Sequence, residues 1–210
     1  MNQENTIITD LFYLPPIEFF VAIQDCEEIF IDPTERFQKQ TYRNRAHILL
    51  ANKMDVLSVP VIGSSKKQLY KEVKIDYNQK WKNVHLRGIQ SAYGKAPFFE
   101  YFYPYFDQVF DKNMTFLFEM NLDLLTVCLK LLKLKVKLKV ESNFDILPVS
   151  ADIRGIIYAK EGYGERDIMT PVIYTQLFGL DFVPNLSILD LLFCMGPESN
   201  EVLIQSKKNH

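Results

Sequence analysis

Acidic and basic side chains alternate over one short stretch near the start of the chain. Asp10 and Asp32 each follow a brief apolar run, and Lys39-Gln40-Thr41-Tyr42-Arg43-Asn44-Arg45 comes soon after. Two guanidiniums with an amide between them suit bidentate capture of a phosphate or carboxylate. A carboxylate or imidazole beside such an anion site is placed to act as a general base. Asp32 and His85 are the candidates for that role; Arg43, Asn44, Arg45, Asp10 and Asp190 are candidates for holding the ligand. The competing reading of the arginines is structural, as partners for Asp32 and Glu35. For His85, four residues after Trp81 on one face of a helical stretch, the competing reading is a packed core histidine.

Asp190 stands in the run Leu189-Asp190-Leu191-Leu192-Phe193. It is either the polar edge of an amphipathic helix or a buried carboxylate that needs a cation, for which Arg43 or Arg45 is the candidate.

Other chemistries find no support in the spacing. The histidines are His47, His85 and His210, and Cys26, Cys128 and Cys194 lie far apart among apolar residues or acids. Neither a zinc site nor a disulfide framework follows from that arrangement. There is no P-loop, no GxGxxG and no GxSxG elbow, and no motif identifies a cofactor. A net charge of −2 gives no field to attract nucleic acid. No run approaches the ~20 apolar residues of a membrane span, and the start, MNQENT, lacks a basic region. These features point to a cytoplasmic protein.

The elements that must position the candidates are legible around them. Ile7-Ile8-Thr9 reads as a buried strand, Pro15-Pro16 as a helix start, and Glu28-Ile29-Phe30-Ile31-Asp32 as a second strand. Together they form a βαβ unit with parallel strands over 6–9 and 28–32 and a crossover helix over 15–26. Ligands in such sheets collect beyond the carboxyl ends of the strands, where Asp10 and Asp32 fall. His47–Leu50 and Val56–Val61 flank a polar turn and suggest a hairpin, and Glu72–Ile75 suggests a short strand.

Helical patterning runs from about 78 to 132. Tyr93-Gly94 closes the first helix, Pro104 is expected to break or kink the second, and Asn121 is the expected N-cap of the third. Lys133 to Val140 alternates strictly and predicts a strand with four lysines on its open face, protecting a sheet edge or meeting anions. Residues 142–178 are irregular, and a final helix over 185–195 stops at Gly196-Pro197. At 210 residues one mixed α/β domain over 1–210 is expected, Rossmann-like at its start and helical around 78–132.

Several blocks resemble the WbqC-like family. They are Tyr13-Leu14-Pro15 with Phe19-Phe20, the 39–45 cluster, Leu57-Ser58-Val59-Pro60-Val61, Trp81 with His85, Ser91-Ala92-Tyr93, and Pro97-Phe98-Phe99-Glu100-Tyr101. The most specific is Tyr174–Phe178 followed by Phe182–Phe193 and Gly196-Pro197. The chain departs at Asp10-Leu11, where the family often has Gln-Pro, and the lysine strand and the 141–170 loop match no family feature. The resemblance implies a bacterial protein linked to O-antigen or similar surface-polysaccharide biosynthesis. It further implies transfer of an acyl or aminoacyl group, such as glycyl, to an amino sugar on a nucleotide or phosphate carrier. A nucleotide-linked or phosphorylated sugar is then the expected partner. The alternatives are a non-catalytic binding or assembly protein of the same pathway, and a nucleotidyltransferase-like enzyme.

Overall fold

The computed structural model describes residues 5–63, 67–144, 149–160, 162–179 and 181–208. β1 (Thr6–Thr9) is buried along its whole length, as its β-branched sequence suits. The chain then passes through α1 (Ile17–Ile23), entered at Pro16, and returns as β2 (Glu28–Ile31). β1 and β2 pair in parallel, Thr6 opposite Glu28 and Thr9 opposite Ile31. The βαβ start is therefore present, with parallel neighbours on either side of one short helix.

β3 (Arg45–Leu50) and β4 (Lys53–Ser58) form a separate antiparallel hairpin, with Arg45 opposite Ser58 and Leu50 opposite Lys53. Its turn, Ala51-Asn52, is tighter than the sequence suggests, because the strands extend into the polar residues. α2 (Trp81–Tyr93), α3 (Phe99–Asp111) and α4 (Leu117–Leu131) supply the helical segment. β5 (Lys137–Val140) and β6 (Ala151–Asp152) complete a four-stranded sheet of order β5-β2-β1-β6, parallel at every pairing. α5 (Ile188–Met195) and α6 (Ser199–Gln205) follow. α5 packs against α2, α3, α6 and β3, and its Phe193 ring meets Tyr93, Phe99 and Phe106.

Four local expectations are corrected. The lysine alternation is not one strand: Lys133 adopts φ 57°, with its N–H on the Lys130 carbonyl and the Leu134 N–H on that of Leu129. That is a Schellman stop, which ends α4 before β5 begins. Lys137 and Lys139 do lie on an edge strand, where both ammonium groups reach Glu28 of β2, at 3.4 and 2.8 Å. The expected strand at 72–75 is a 3-10 turn at Tyr70–Glu72, because Lys74 and Ile75 bridge to different partners, Phe116 and Val61, and no ladder forms. Asn121 is not an N-cap, since α4 starts at Leu117; its amide is buried in the core. Pro104 does not break α3. The carbonyl it leaves unpaired belongs to exposed Glu100, where water can bond it.

Gly196 ends α5 at φ 55°, and a Cβ there would stand 2.4 Å from the Phe98 ring. Gly196→Ala therefore meets both an unfavourable backbone region and a packed ring. It should cost at least about 2 kcal/mol, lowering the melting temperature by roughly 4–8 °C; an unchanged melt would show that the turn relaxes freely.

Candidate functional site

The carboxyl ends of three parallel strands each carry an acid. Asp10 follows β1, Asp32 follows β2, and Asp152 ends β6. Two arginines meet them. The Arg43 Nη2 donates to Asp10 Oδ1 at 2.7 Å and Glu35 Oε2 at 2.8 Å, and its Nη1 donates to the Arg36 carbonyl at 2.7 Å. The second oxygen of Asp10 accepts the Gly155 N–H at 2.7 Å. Arg154 grips Asp152, with Nη2 to Oδ2 at 2.6 Å and Nε to Oδ1 at 3.0 Å. Its Nη1 reaches Asp32 Oδ2 at 3.0 Å, and the other Asp32 oxygen accepts from the Thr34 N–H and hydroxyl.

Local sequence holds this cluster in register. Arg43 is 7% exposed, and its backbone carbonyl accepts from the Asn121 amide at 2.8 Å. The same amide donates to the Tyr70 hydroxyl, which donates to the Leu11 carbonyl at 3.0 Å. The Tyr70 ring lies under the Arg43 guanidinium, 5.3 Å from its centre. The exit of β1, the 3-10 turn and α4 thus fix one side chain. The Glu35 backbone is pinned as well, its carbonyl accepting from the Tyr70 N–H.

Glu35 is the chemically distinctive member. Its carboxyl is pushed up to about 7, first by burial and then by Asp10 and Asp32, against the opposing pull of Arg43 and Arg154. A guanidinium at 2.8 Å would ordinarily hold a carboxylate ionised. Here the same Nη2 also bonds Asp10, so Glu35 receives only a share of the cation. A half-buried carboxyl titrating near neutrality at the strand ends is placed for proton transfer.

The sequence candidates do not all come together. Asp10, Asp32 and Arg43 belong to the strand-end cluster, with Arg43 already paired to Asp10 and Glu35. Asn44 is used by the backbone: its Oδ1 accepts the Gln40 N–H and its Nδ2 donates to the Val59 carbonyl. Arg45 lines a different hollow, beside Lys39 and Ser58. His85 lies in the core with Nδ1 2.8 Å from the Tyr13 hydroxyl and its ring against Trp81; burial pushes it down to about 4, so it is neutral at pH 7. Asp190 takes neither arginine. It accepts from Tyr174 at 2.6 Å and Gln176 at 2.9 Å, and burial raises its pKa. Among the described residues no group of three or more His, Cys, Asp or Glu could hold a metal ion.

Arg154 and a second buried pair were missed by sequence reading. Glu18, fully buried in α1, is held by Arg166 through two bonds of 2.6 and 3.0 Å and by the Asn185 amide at 2.8 Å. A carboxylate inside the apolar run Ile17–Ile23 was the available signal. The arginines gave none, lying in the irregular segment.

Arg43→Lys would keep the charge and lose the planar fork that serves three acceptors. It should cost about 2–4 kcal/mol and lower the melting temperature by roughly 4–16 °C. A melt within a degree or so of wild type would show that the cluster does not depend on the fork.

The comparisons with known proteins bear on family alone. The model of the WbqC-like protein family matches residues 12–162, taking in Asp32, Glu35, Arg43 and Arg154 but neither Asp10 nor the 174–197 blocks. No curated protein and no solved structure matched. With the match spanning most of its length, the chain belongs to the WbqC-like protein family.

Proposed function

We propose that the strand-end cluster is the active site of a cytoplasmic transferase that acylates or aminoacylates an amino sugar on a nucleotide or phosphate carrier. The family is associated with genes of O-antigen and related polysaccharide biosynthesis. The observation that carries the reading is the Glu35 carboxyl, titrating near 7 where ligands of parallel sheets collect. Four carboxyl groups face two guanidiniums in the cluster, and that surplus of acid suits a substrate amine rather than a phosphate. Ionised Glu35 takes the proton lost as the amine nitrogen bonds the donor's acyl carbon, and the donor's leaving group departs with its electron pair. Arg43 and Arg154 position the carboxylates. Among the described residues no helix is long and apolar enough to cross a membrane, which accords with a substrate met in solution.

A second reading, a non-catalytic binding or assembly protein of the same pathway, is favoured by the engagement of both arginines with acids.

The test pairs UDP-linked amino sugars with acyl-CoA and aminoacyl donors and reads product mass. Wild type should acylate at least one amino sugar, and Glu35→Gln should lower the rate by about 10²–10⁴-fold, the usual worth of a general base. The wild-type rate should rise with pH through a midpoint near 7. Absence of product with every pairing, or equal rates for the two proteins, would favour the binding reading.

Stability should run in the opposite direction. The folded state holds the Glu35 proton more tightly than the unfolded chain, whose value is near 4.5. Its contribution is full below that pH and is lost as pH rises through 7. Melting temperatures of wild type and Glu35→Gln should therefore diverge between pH 5 and 7 by roughly the linkage of that one group, wild type falling relative to the variant. Parallel curves would refute the raised value.

A further inference from the structure

Away from the strand ends, two adjoining hollows of about 250 and 430 Å³ share Ser58 and Gln79 as lining residues and so form one groove between the β3–β4 hairpin and the start of α2. One end is basic, with Lys39 and Arg45; the other carries Trp81 and Val84, with Lys80 and Asp55 also on its wall.

Two donors among the groove's lining residues are left unanswered inside the protein. Arg45 makes no ion pair among the described residues, and its buried Nε has no hydrogen-bond partner. Trp81 is 5% exposed, yet its indole N–H has no acceptor either. A buried donor without a partner costs about 1–3 kcal/mol, and the Arg45 guanidinium, at the basic end of the groove, is the one that an anionic group of a ligand would answer. The 13-residue α2 begins here, and no side chain caps its first turn, which adds a positive end. The acid on the wall is Asp55, whose own neighbour is Lys53 at 3.9 Å. Asp76, next to the helix start, is held by the Gln79 amide at 2.9 Å.

Gln40 adds a backbone observation: it sits at φ 63° beside the basic end, its N–H bonded to Asn44 Oδ1. Non-glycine residues in this region are uncommon and concentrate at binding sites. At the far end Val84 is 63% exposed, an apolar wall open to solvent.

We propose that this groove binds a small organic phosphate monoester, the phosphate held by Lys39 and Arg45 and the apolar or aromatic group of the ester lying against Trp81 and Val84. A phosphate suits the basic end better than a carboxylate because it offers three terminal oxygens to a fork, an ammonium and the Ser58 hydroxyl. The proposal does not rest on the transferase reading, since it uses none of the strand-end residues.

Trp81 is the chain's one tryptophan, so its fluorescence reports the groove directly. Inorganic phosphate, phenyl phosphate and benzoate would each be titrated into the full chain. Phenyl phosphate should give a saturable change and bind at least ten-fold more tightly than either inorganic phosphate or benzoate. Arg45→Gln should weaken phenyl phosphate binding ten-fold or more and Lys39→Gln, at an exposed position, about three-fold. Val84→Glu should remove the advantage of phenyl phosphate over inorganic phosphate, and Glu35→Gln should leave all three titrations unchanged. Tighter binding of benzoate would overturn the choice of phosphate. Equal binding of phenyl and inorganic phosphate, or unchanged binding in Arg45→Gln or, should that variant not fold, in Lys39→Gln, would overturn the site.

Discussion

One guanidinium holds the strand ends together. Arg43 is nearly buried, and a buried charge is tolerable only when its donors meet acceptors. Its three bonds, to Asp10, Glu35 and the Arg36 carbonyl, join the exit of β1 to the turn that follows β2. The carbonyl of the same residue is bonded from α4 through Asn121. Elements distant in sequence therefore share one side chain, and the position of Glu35 follows from it. Because Nη2 is divided between two carboxylates, Glu35 receives less than a whole cation, and its partial burial beside Asp10 and Asp32 keeps its proton to higher pH. The raised Glu35 value and the structural role of Arg43 are two results of one geometry.

The irregular segment between β5 and α5 is attached by the same physics at two further points. Arg154 joins β6 to Asp32 across the strand ends, and Arg166 enters α1 to meet Glu18. A long loop buries little apolar surface and orders poorly unless fixed by specific bonds. Here two arginines, with five bonds of 3.0 Å or less to the carboxylates of Asp32, Asp152 and Glu18, supply the fixing. The segment thus contributes an edge strand, an N–H for Asp10 and an ion pair for Asp32, which places it beside the proposed chemistry.

What the sequence shows and what it hides divide along range of interaction. The βαβ start was legible because Ile7-Ile8-Thr9, Pro15-Pro16 and Glu28–Ile31 are local signals of strand, helix start and strand, and the sheet pairs them in parallel. The stop at Gly196 was legible for the same reason. Lys133–Val140 misled because alternation over its first half coincides with a helix stop, where backbone bonds to Leu129 and Lys130 outrank side-chain pattern. The candidate site was half legible. Asp10 and Asp32 follow from strand ends, but their partners Arg154 and Gly155 come from far along the chain, in a stretch with no periodicity to place it. Local reading also grouped Arg43, Asn44 and Arg45 as one anion clamp, whereas the turn between them sends Arg43 to the acids and Arg45 to the groove.

Two buried groups that the sequence offered for the site, His85 as a base and Asp190 as a ligand holder, show how the protein separates packing from proton chemistry. His85 and Asp190 each sit among aromatic side chains, and each is bonded by a neutral partner, a tyrosine hydroxyl for His85 and a hydroxyl and an amide for Asp190. Burial opposes charge on both, driving the histidine down to about 4 and the carboxyl up. A neutral imidazole needs no counter-ion, and the Asp190 carboxyl is met by hydroxyl and amide donors instead of an arginine. Glu35 differs in being only partly buried and in facing two guanidiniums and two acids at once. Burial and the neighbouring acids outweigh the two guanidiniums and leave it near its midpoint at neutral pH, where a small change in surroundings, such as an arriving cationic amine, shifts its protonation. Sensitivity of that kind is what a general base requires and what a core residue avoids.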